Sequence, residues 1–277
     1  MNLPTIARRC SAIPAIVAIA TLLPLAGIPS VQAGDTPLFH DDFQDQFDTA
    51  SLAEKYNIPE KMNNQWTLTT SGGADMSVGA SSPGGQVLPL VSKQSFPGFR
   101  THPVISVSVD TQLGTRLENG LPFGLPTEIA LVSNPEDATS VVAGFTVAYV
   151  PETFGANLNY EISVAGTQSK IWEAAPAFEG FQQDPKCATA TGWFRWTAVF
   201  SYEAASGQLQ TTVSVANIGE EGSASPALIQ KWEFPLVTLA QVKQDLPLFF
   251  GVNGRGREGL GVRCIDNIIV RSIAPTR

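Results

Sequence analysis

The chain has 277 residues, and its 25 acidic against 17 basic side chains give a net charge of −8. An acidic protein repels phosphate backbones, so nucleic acid is excluded as an expected partner. Only 15% of the residues are charged, while glycine and proline number 24 and 20. This composition is typical of a loop-rich β protein and excludes a disordered or mainly helical chain.

The first 33 residues have the features of a secretory signal peptide. Arg8 and Arg9 precede an apolar stretch at 12–28, and Val31 and Ala33 supply the small residues that a signal peptidase accepts. Prolines at positions 14, 24 and 29 disfavour a continuous membrane-spanning helix. We therefore expect residues 1–33 to be removed and residues 34–277 to reach the periplasm or the extracellular space, with no membrane span. The mature chain keeps 15 basic and 25 acidic side chains, a net charge of −10.

The mature sequence alternates between apolar and polar residues in segment after segment. The pattern is regular in Val104–Gln112, Asn157–Val164 and Phe194–Tyr202, as in antiparallel strands with one buried face. Glycine-containing turns separate such runs, and Ala204–Gly207 is expected to join two strands as a hairpin.

Helices are predicted at only two places, residues 51–56 and 239–246, and both are short. No repeat, charge block or proline-rich linker divides the mature chain. We therefore predict an all-β protein, a single antiparallel β-sandwich domain over residues 34–277 with few short helices.

Three motifs resemble the concanavalin A-like lectin/glucanase superfamily when their order along the chain is considered. They are F-H-D-D-F at 39–43, W-F-R-W-T-A-V-F-S-Y at 193–202 and I-D-N-I-I-V at 265–270. The resemblance spans roughly residues 38 to 272 and is similar in kind to laminin-G-type modules and family 16 glucanases. It implies a jelly roll in which the first and last strands lie side by side.

The resemblance also implies a structural calcium ion near the last strand. Many members carry an acid there, which on this chain is Asp266, with Asp42 or Asp41 as a second ligand. Calcium prefers carboxylate and carbonyl oxygens, and it would account for an acid within an apolar strand. The alternative is that Asp266 caps a backbone group or pairs with Arg263 or Arg271.

Two cysteines, Cys187 and Cys264, remain after the signal peptide. An even count in an oxidising compartment predicts a disulfide bond between them. The alternative is two separate buried thiols. No C-x-x-C spacing is present, so a cysteine-bound metal is not expected.

No catalytic motif of the resembling enzymes is found. The E-x-D-x-x-E strand of glucanases is absent, and the acids Glu128, Glu136 and Asp137 have the wrong spacing for it. His40 and His102 lie outside the motifs of alginate lyases, and no G-x-S-x-G sequence is present. An inherited catalytic centre is therefore not supported.

A carbohydrate-binding surface is the function that remains best supported. We expect polysaccharide or glycan to contact the polar strand faces and one aromatic residue at their rim, namely Asp110, Asn159, Glu161, Arg195 and Trp172. The alternative is that Glu161 and Arg195 pair across strands and that Trp172 is a core residue. Trp193, Trp196 and Trp232 are assigned to the core or to hairpin packing.

The leading hypothesis is therefore a secreted, lectin-like protein without a recognisable catalytic motif. A divergent glycan hydrolase or lyase is the second hypothesis, with Glu161 as the first residue to test. A structural or adhesive extracellular module is the third. The sequence leaves the glycan, the sheet face that binds it and the oligomeric state undetermined.

Overall fold

A computed structural model describes residues 36–46, 49–58, 66–70, 76–80, 86–118, 121–123, 127–150, 159–173, 183–184, 187–219, 222, 224–240, 243, 245–256 and 261–274. The predicted signal peptide lies outside the described residues. Among the described residues, none belongs to a helix with the length and apolar character needed to cross a bilayer.

The described elements are eighteen strands and one helix. In the first half of the chain they are Thr36–Asp41 (β1), Thr49–Lys55 (α1), Tyr56–Asn57 (β2), Trp66–Thr70 (β3), Met76–Ala80 (β4), Gln86–Phe96 (β5), Val104–Glu118 (β6), Leu121–Phe123 (β7), Thr127–Val132 (β8) and Val141–Val150 (β9). In the second half they are Asn159–Val164 (β10), Lys170–Glu173 (β11), Gln183–Asp184 (β12), Cys187–Glu203 (β13), Gln208–Asn217 (β14), Ala227–Glu233 (β15), Val237–Thr238 (β16), Leu248–Gly256 (β17) and Gly261–Ser272 (β18).

The strands form two antiparallel sheets. The larger sheet has eleven strands, and its central order is β15-β14-β13-β6-β18-β4-β3. Outside this order, β1 pairs with β18. The smaller has seven strands in the order β11-β10-β9-β8-β17-β5-β2. The predicted antiparallel sandwich is confirmed, and so is the expectation that the first and last strands pair.

The two sheets pack face to face through large side chains. Phe145 of β9 lies 6.2 Å from Trp196 of β13, measured between ring centroids, and Phe39 of β1 stacks on Phe250 of β17 at 6.0 Å. Trp196 is fully buried. The alternation seen in the sequence produces this arrangement, because every second residue of each strand points into the space between the sheets.

The predicted local features largely match the structure. The alternating segments at 104–112 and 194–202 lie within β6 and β13, the described part of the segment at 157–164 is β10, and the helix predicted at 51–56 overlaps α1. The hairpin turn forms between β13 and β14, where Gly207 has φ 69° and its amide donates to the carbonyl of Glu203 at 2.8 Å. That backbone conformation favours glycine. The helix predicted at 239–246 falls partly outside the described residues.

Candidate ligand-binding groove

A groove of about 760 Å³ lies against the seven-stranded sheet. Its lining combines outward-facing residues of this sheet, such as Glu128 and Asn253, with Leu209 and Thr211 of β14, which face the core, and with the segment at 236–240. The volume falls within the range of small-molecule sites, roughly 300 to 1,000 Å³.

Glu128 reaches the groove because of strand alternation. Its neighbour in β8, Ile129, packs in the core between the sheets, so Glu128 points to the opposite face. Asn253 of β17 stands directly across from it, and Thr146 of β9 stands on its other side. Ser163 of β10 is opposite Thr146, so one polar row crosses four strands.

Glu128 and Asn253 form a hydrogen-bonded pair at one end of this row. Burial raises the pKa of Glu128, and the hydrogen bond from Asn253 opposes that rise. A carboxylate only accepts hydrogen bonds, so the amide nitrogen of Asn253 must face Glu128. The amide oxygen of Asn253 is then left buried without a partner among the described residues.

Close strand contact shapes the groove beside this pair. A Cβ atom added to Gly144 would lie 2.8 Å from the Cβ of Ala130 and 3.0 Å from the carbonyl oxygen of Ile129. Gly144 is therefore required where β9 approaches β8, and its missing side chain leaves the groove open at that point.

Lys243 contributes a basic group to the lining, and one of its three N–H donors is engaged by the protein. Its Nζ donates to the carbonyl oxygen of Val141 at 2.7 Å. This bond ties the segment after β16 to the start of β9 and closes one side of the groove. Glu128 and Asn253 supply the side-chain acceptors of the lining.

Two of the predicted ligand contacts, Asp110 and Arg195, meet on the outer face of the eleven-stranded sheet. Arg195 Nε donates to Asp110 Oδ1 at 2.6 Å, and Nη2 donates to Oδ2 at 2.7 Å. Burial raises the pKa of Asp110 although Arg195 opposes the rise, and the hydrogen bonds to Asp110 raise the pKa of Arg195. The pair links β6 to β13, and each charged group supplies hydrogen-bond partners and a counter-charge to the other.

The other predicted contacts lie elsewhere. Glu161 of β10 is half-buried on the outer face of the seven-stranded sheet, so the sandwich separates it from Asp110. The side chain of Asn159 lies outside the described residues. The placement of Trp172 at a rim is wrong: it is 6% exposed and packs against Trp196 at 5.6 Å in the core.

Trp172 is buried because its position in β11 faces the space between the two sheets, whereas a ligand contact at the rim needs an exposed side chain. Ile171 is 56% exposed, while Trp172 joins the aromatic cluster between the sheets. The assignment of Trp193, Trp196 and Trp232 to the core or to hairpin packing is confirmed, since Trp196 and Trp232 lie in the main core and Trp193 is buried in a separate cluster with Ile218.

Backbone amides engage both predicted calcium ligands, Asp42 and Asp266. Asp42 Oδ1 accepts a hydrogen bond from the amide of Gln44 at 3.2 Å, while Asp266 Oδ1 accepts one from the amide of Asn267 at 2.7 Å. Asp266 stands opposite Asp110 in the register, and its charge acts on Arg195. Among the described residues, no three His, Cys, Asp or Glu side chains are grouped as metal ligands would be.

A β-bulge accounts for the acid in the last strand. The register of β18 against β6 shifts between Asp266 and Ile269, and Asn267 has φ 46°. Asp266 thereby caps the amide of Asn267 while Ile265 and Ile268 stay in the core. The alternative in which Asp266 caps a backbone group is the one observed.

Asp41 is held by protein groups as well. Its buried carboxylate accepts hydrogen bonds from Phe43 N at 3.1 Å, Tyr56 Oη at 2.6 Å and Lys55 Nζ at 3.0 Å. Gln46 Nε2 donates to both of its oxygens. Asp41 therefore fastens the N-terminal strand to α1 and β2 and offers no free edge to a metal.

The predicted disulfide bond would join two strands that are not neighbours in the described backbone, and it stays a prediction because both cysteine side chains lie outside the described residues. Cys187 of β13 pairs with Arg116 of β6, whereas Cys264 of β18 pairs with Gln112 on the other side of β6. Two strand spacings, about 9.6 Å, therefore separate the two cysteine strands. The Cα atoms of bridged cysteines usually lie about 4.4–6.8 Å apart.

No family model matches the sequence, and no curated protein matches it either. Among solved structures, peanut lectin with a bound nonapeptide is 12% identical with a TM-score of 0.45, over 88% of this chain and 100% of the lectin. A family 131 β-glucanase catalytic domain from Podospora anserina is 12% identical with a TM-score of 0.44, over 87% of this chain and 98% of its own.

A carbohydrate esterase from the Shiga toxin-encoding bacteriophage phi24B is 13% identical with a TM-score of 0.42, over 87% of this chain and 100% of its own. Lectins and glucanases are the two groups that the sequence resemblance names. The two-sheet antiparallel sandwich itself rests on the strand pairing described above.

Sequence reasoning missed Asn253 and Thr211 and considered Glu128 only as part of a catalytic spacing. A usable signal was present, because Glu128 interrupts the apolar run T-E-I-A-L-V at 127–132. An acid at an alternate position of such a strand must face away from the core or be paired. The partner of that acid, Asn253, lies on a strand far along the chain.

Proposed function

We propose that this protein is a secreted or periplasmic carbohydrate-binding protein, and that a glycan binds in the groove at Glu128 and Asn253. The observation that carries the proposal is this pair in the groove lining, in which the buried amide oxygen of Asn253 has no hydrogen-bond partner among the described residues. Buried polar atoms in proteins nearly always have a partner, so a ligand that donates hydrogen bonds fits here. Saccharides offer several hydroxyl donors on one ring.

Binding without turnover is favoured by the number of carboxyl groups. Glu128 is the only acid among the described lining residues. Glycoside hydrolases generally need two carboxyl groups, about 5–5.5 Å apart when they retain configuration or about 6.5–9.5 Å apart when they invert it. One carboxyl with an amide partner is suited to holding hydroxyl groups.

A glycan hydrolase or lyase is the second candidate function, and one observation favours it. The raised pKa of Glu128 is the property that a general acid requires near neutral pH. In that case Glu128, and not Glu161, is the residue whose removal abolishes turnover.

Titration calorimetry of residues 34–277 against gluco-, manno- and xylo-oligosaccharides tests the proposal. We expect a glycan to bind, and we expect Glu128→Gln and Asn253→Ala each to weaken it about tenfold. Glu173→Gln is the matched control, because Glu173 is exposed on the edge strand β11 and does not line the groove.

The outcomes separate the hypotheses. Loss of binding in Glu161→Gln with unchanged binding in Glu128→Gln would place the site outside the groove. Release of shorter sugars by the wild type, abolished in Glu128→Gln, would establish the enzyme instead. Failure of all glycans to bind would remove the carbohydrate proposal.

A further inference from the structure

The end of the groove at the β14 side is apolar and aliphatic. Leu209, Val237 and Leu239 line it, and so does Leu236, which is 53% exposed. Large hydrophobic side chains this exposed are rare among the described residues, Ile171 being the other. An apolar group that covers Leu236 and extends toward Leu209 would remove this surface from water.

One hydroxyl stands within these aliphatic walls. Thr211 of β14 is 1% exposed, lines the groove, and its Oγ1 has no hydrogen-bond partner among the described residues. A hydroxyl in an apolar site is costly unless it is hydrogen-bonded. A ligand that brings a hydrogen-bond acceptor into this otherwise apolar space would satisfy the Thr211 hydroxyl.

The lining offers no aromatic face to a sugar ring. None of the described lining residues is Phe, Tyr or Trp, and the tryptophans whose side chains are described are all at most 7% exposed. The apolar contact in this groove is thus made to aliphatic side chains. Such walls suit a hydrocarbon chain, which needs contact on all sides and no stacking partner.

We propose that the groove binds an acylated saccharide, a sugar that carries a short ester- or amide-linked acyl group. This inference rests on the proposed function and names its substrate class. Sugar hydroxyls donate to Glu128 and to the amide oxygen of Asn253, and the Thr211 hydroxyl donates to the acyl carbonyl. The hydrocarbon part of the acyl group lies against Leu209, Leu236 and Leu239.

The arrangement of polar groups favours this ligand over a plain sugar. A plain sugar satisfies the acceptors at Glu128 and Asn253 but leaves the aliphatic end of the groove without an apolar partner. An ester or amide carbonyl supplies the acceptor that the buried Thr211 hydroxyl lacks among the described residues. Glu128 and Lys243 are the one acid and the one base among the described lining residues, so their charges offset each other and the ligand is expected to be uncharged.

The test compares each sugar with its own acylated form. Gluco-, manno- and xylo-oligosaccharides are titrated unmodified, O-acetylated and O-butyrylated into wild-type protein. Acylation is expected to tighten binding, and each added CH₂ between acetyl and butyryl is expected to strengthen it about two- to fourfold.

Thr211→Val tests the carbonyl contact, because valine keeps the shape and removes the hydroxyl. We expect this variant to lose about three- to tenfold in affinity for the acylated sugars and nothing for the unmodified ones. Thr111→Val is the matched control. Thr111 is equally buried, its hydroxyl is also unpartnered, and it does not line the groove.

Both variants are first checked by thermal melting, and neither is expected to be less stable than the wild type, since each removes a buried unpartnered hydroxyl. Equal affinity for acylated and unmodified sugars would overturn the acyl proposal and leave carbohydrate binding standing. Absence of binding by every form would overturn both. Tighter binding of 2-amino sugars than of acylated ones would overturn the acyl proposal in favour of a cationic ligand.

Discussion

Asp110 and Arg195 meet across β6 and β13, 85 residues apart in sequence, through two parallel hydrogen bonds of 2.6 and 2.7 Å. The Asp110 side chain is 1% exposed and that of Arg195 is 31% exposed. Both residues carry the polar character expected of a ligand contact. Their geometry instead makes them a structural pair that joins two central strands of the larger sheet.

Asp110→Ala is expected to lower the free energy of unfolding by about 3 kcal/mol, because it leaves Arg195 partly buried without its counter-charge. Urea denaturation measures the loss. Glu233→Ala is the control, since Glu233 and Lys231 form an exposed pair at 3.8 Å and such pairs contribute about 1 kcal/mol or less. Equal losses in the two variants would contradict a structural role for Asp110.

Tyr56→Phe tests the network around Asp41. The Tyr56 hydroxyl donates to Asp41 at 2.6 Å, and burial together with the Asp41 charge raises the pKa of Tyr56 well above its usual value. Removing one donor to a buried carboxylate is expected to cost about 1.5–3 kcal/mol in urea unfolding. Tyr202→Phe is the matched control, because the Tyr202 hydroxyl makes no hydrogen bond to the part of the chain that the structure describes. Similar losses of unfolding free energy in both variants would contradict a stabilising role for the hydrogen bond from Tyr56 to Asp41.

Glu128→Gln is expected to change how stability depends on pH. Below the ordinary value of 4.5, the carboxyl is protonated in the folded and the unfolded chain, so wild type and variant differ little. As the pH rises through the raised folded-state pKa, the wild type must ionise a partly buried group and loses stability that the variant keeps. Near neutral pH the variant is therefore expected to melt at a higher temperature.

The control for this titration is Glu173→Gln, which changes an exposed acid on the same sheet. Its melting temperature is expected to follow the wild type at every pH. A Glu128→Gln variant that is less stable near neutral pH would mean that the ionised carboxylate is favoured in the folded protein.

EDTA is expected to leave the melting temperature unchanged, because Asp42 and Asp266 each accept a hydrogen bond from a backbone amide and the described residues hold no group of three metal-ligating side chains. Asp42→Asn is expected to change the free energy of unfolding by about 0.5 kcal/mol or less, as surface substitutions usually do. A fall of several degrees in EDTA, reversed by added calcium, would restore the predicted metal site.

The sequence by itself determined the strands and their faces. Alternation in 104–112 and 194–202 follows directly from the pleat, in which neighbouring side chains point to opposite sides. The turn at 204–207 depends on a local backbone requirement that glycine meets. The pairing of β1 with β18 was predictable from the resemblance at the two ends of the chain.

Only the tertiary structure decided which residues meet across strands. Ile171 and Trp172 are both apolar, and it is the register of β11 against β10 that buries one and exposes the other. Likewise Glu128 acquires Asn253 as its partner through the pairing of β8 with β17. Alternation tells which residues share a face, but neighbours on that face come from distant segments, and their contacts depend on long-range strand order and register.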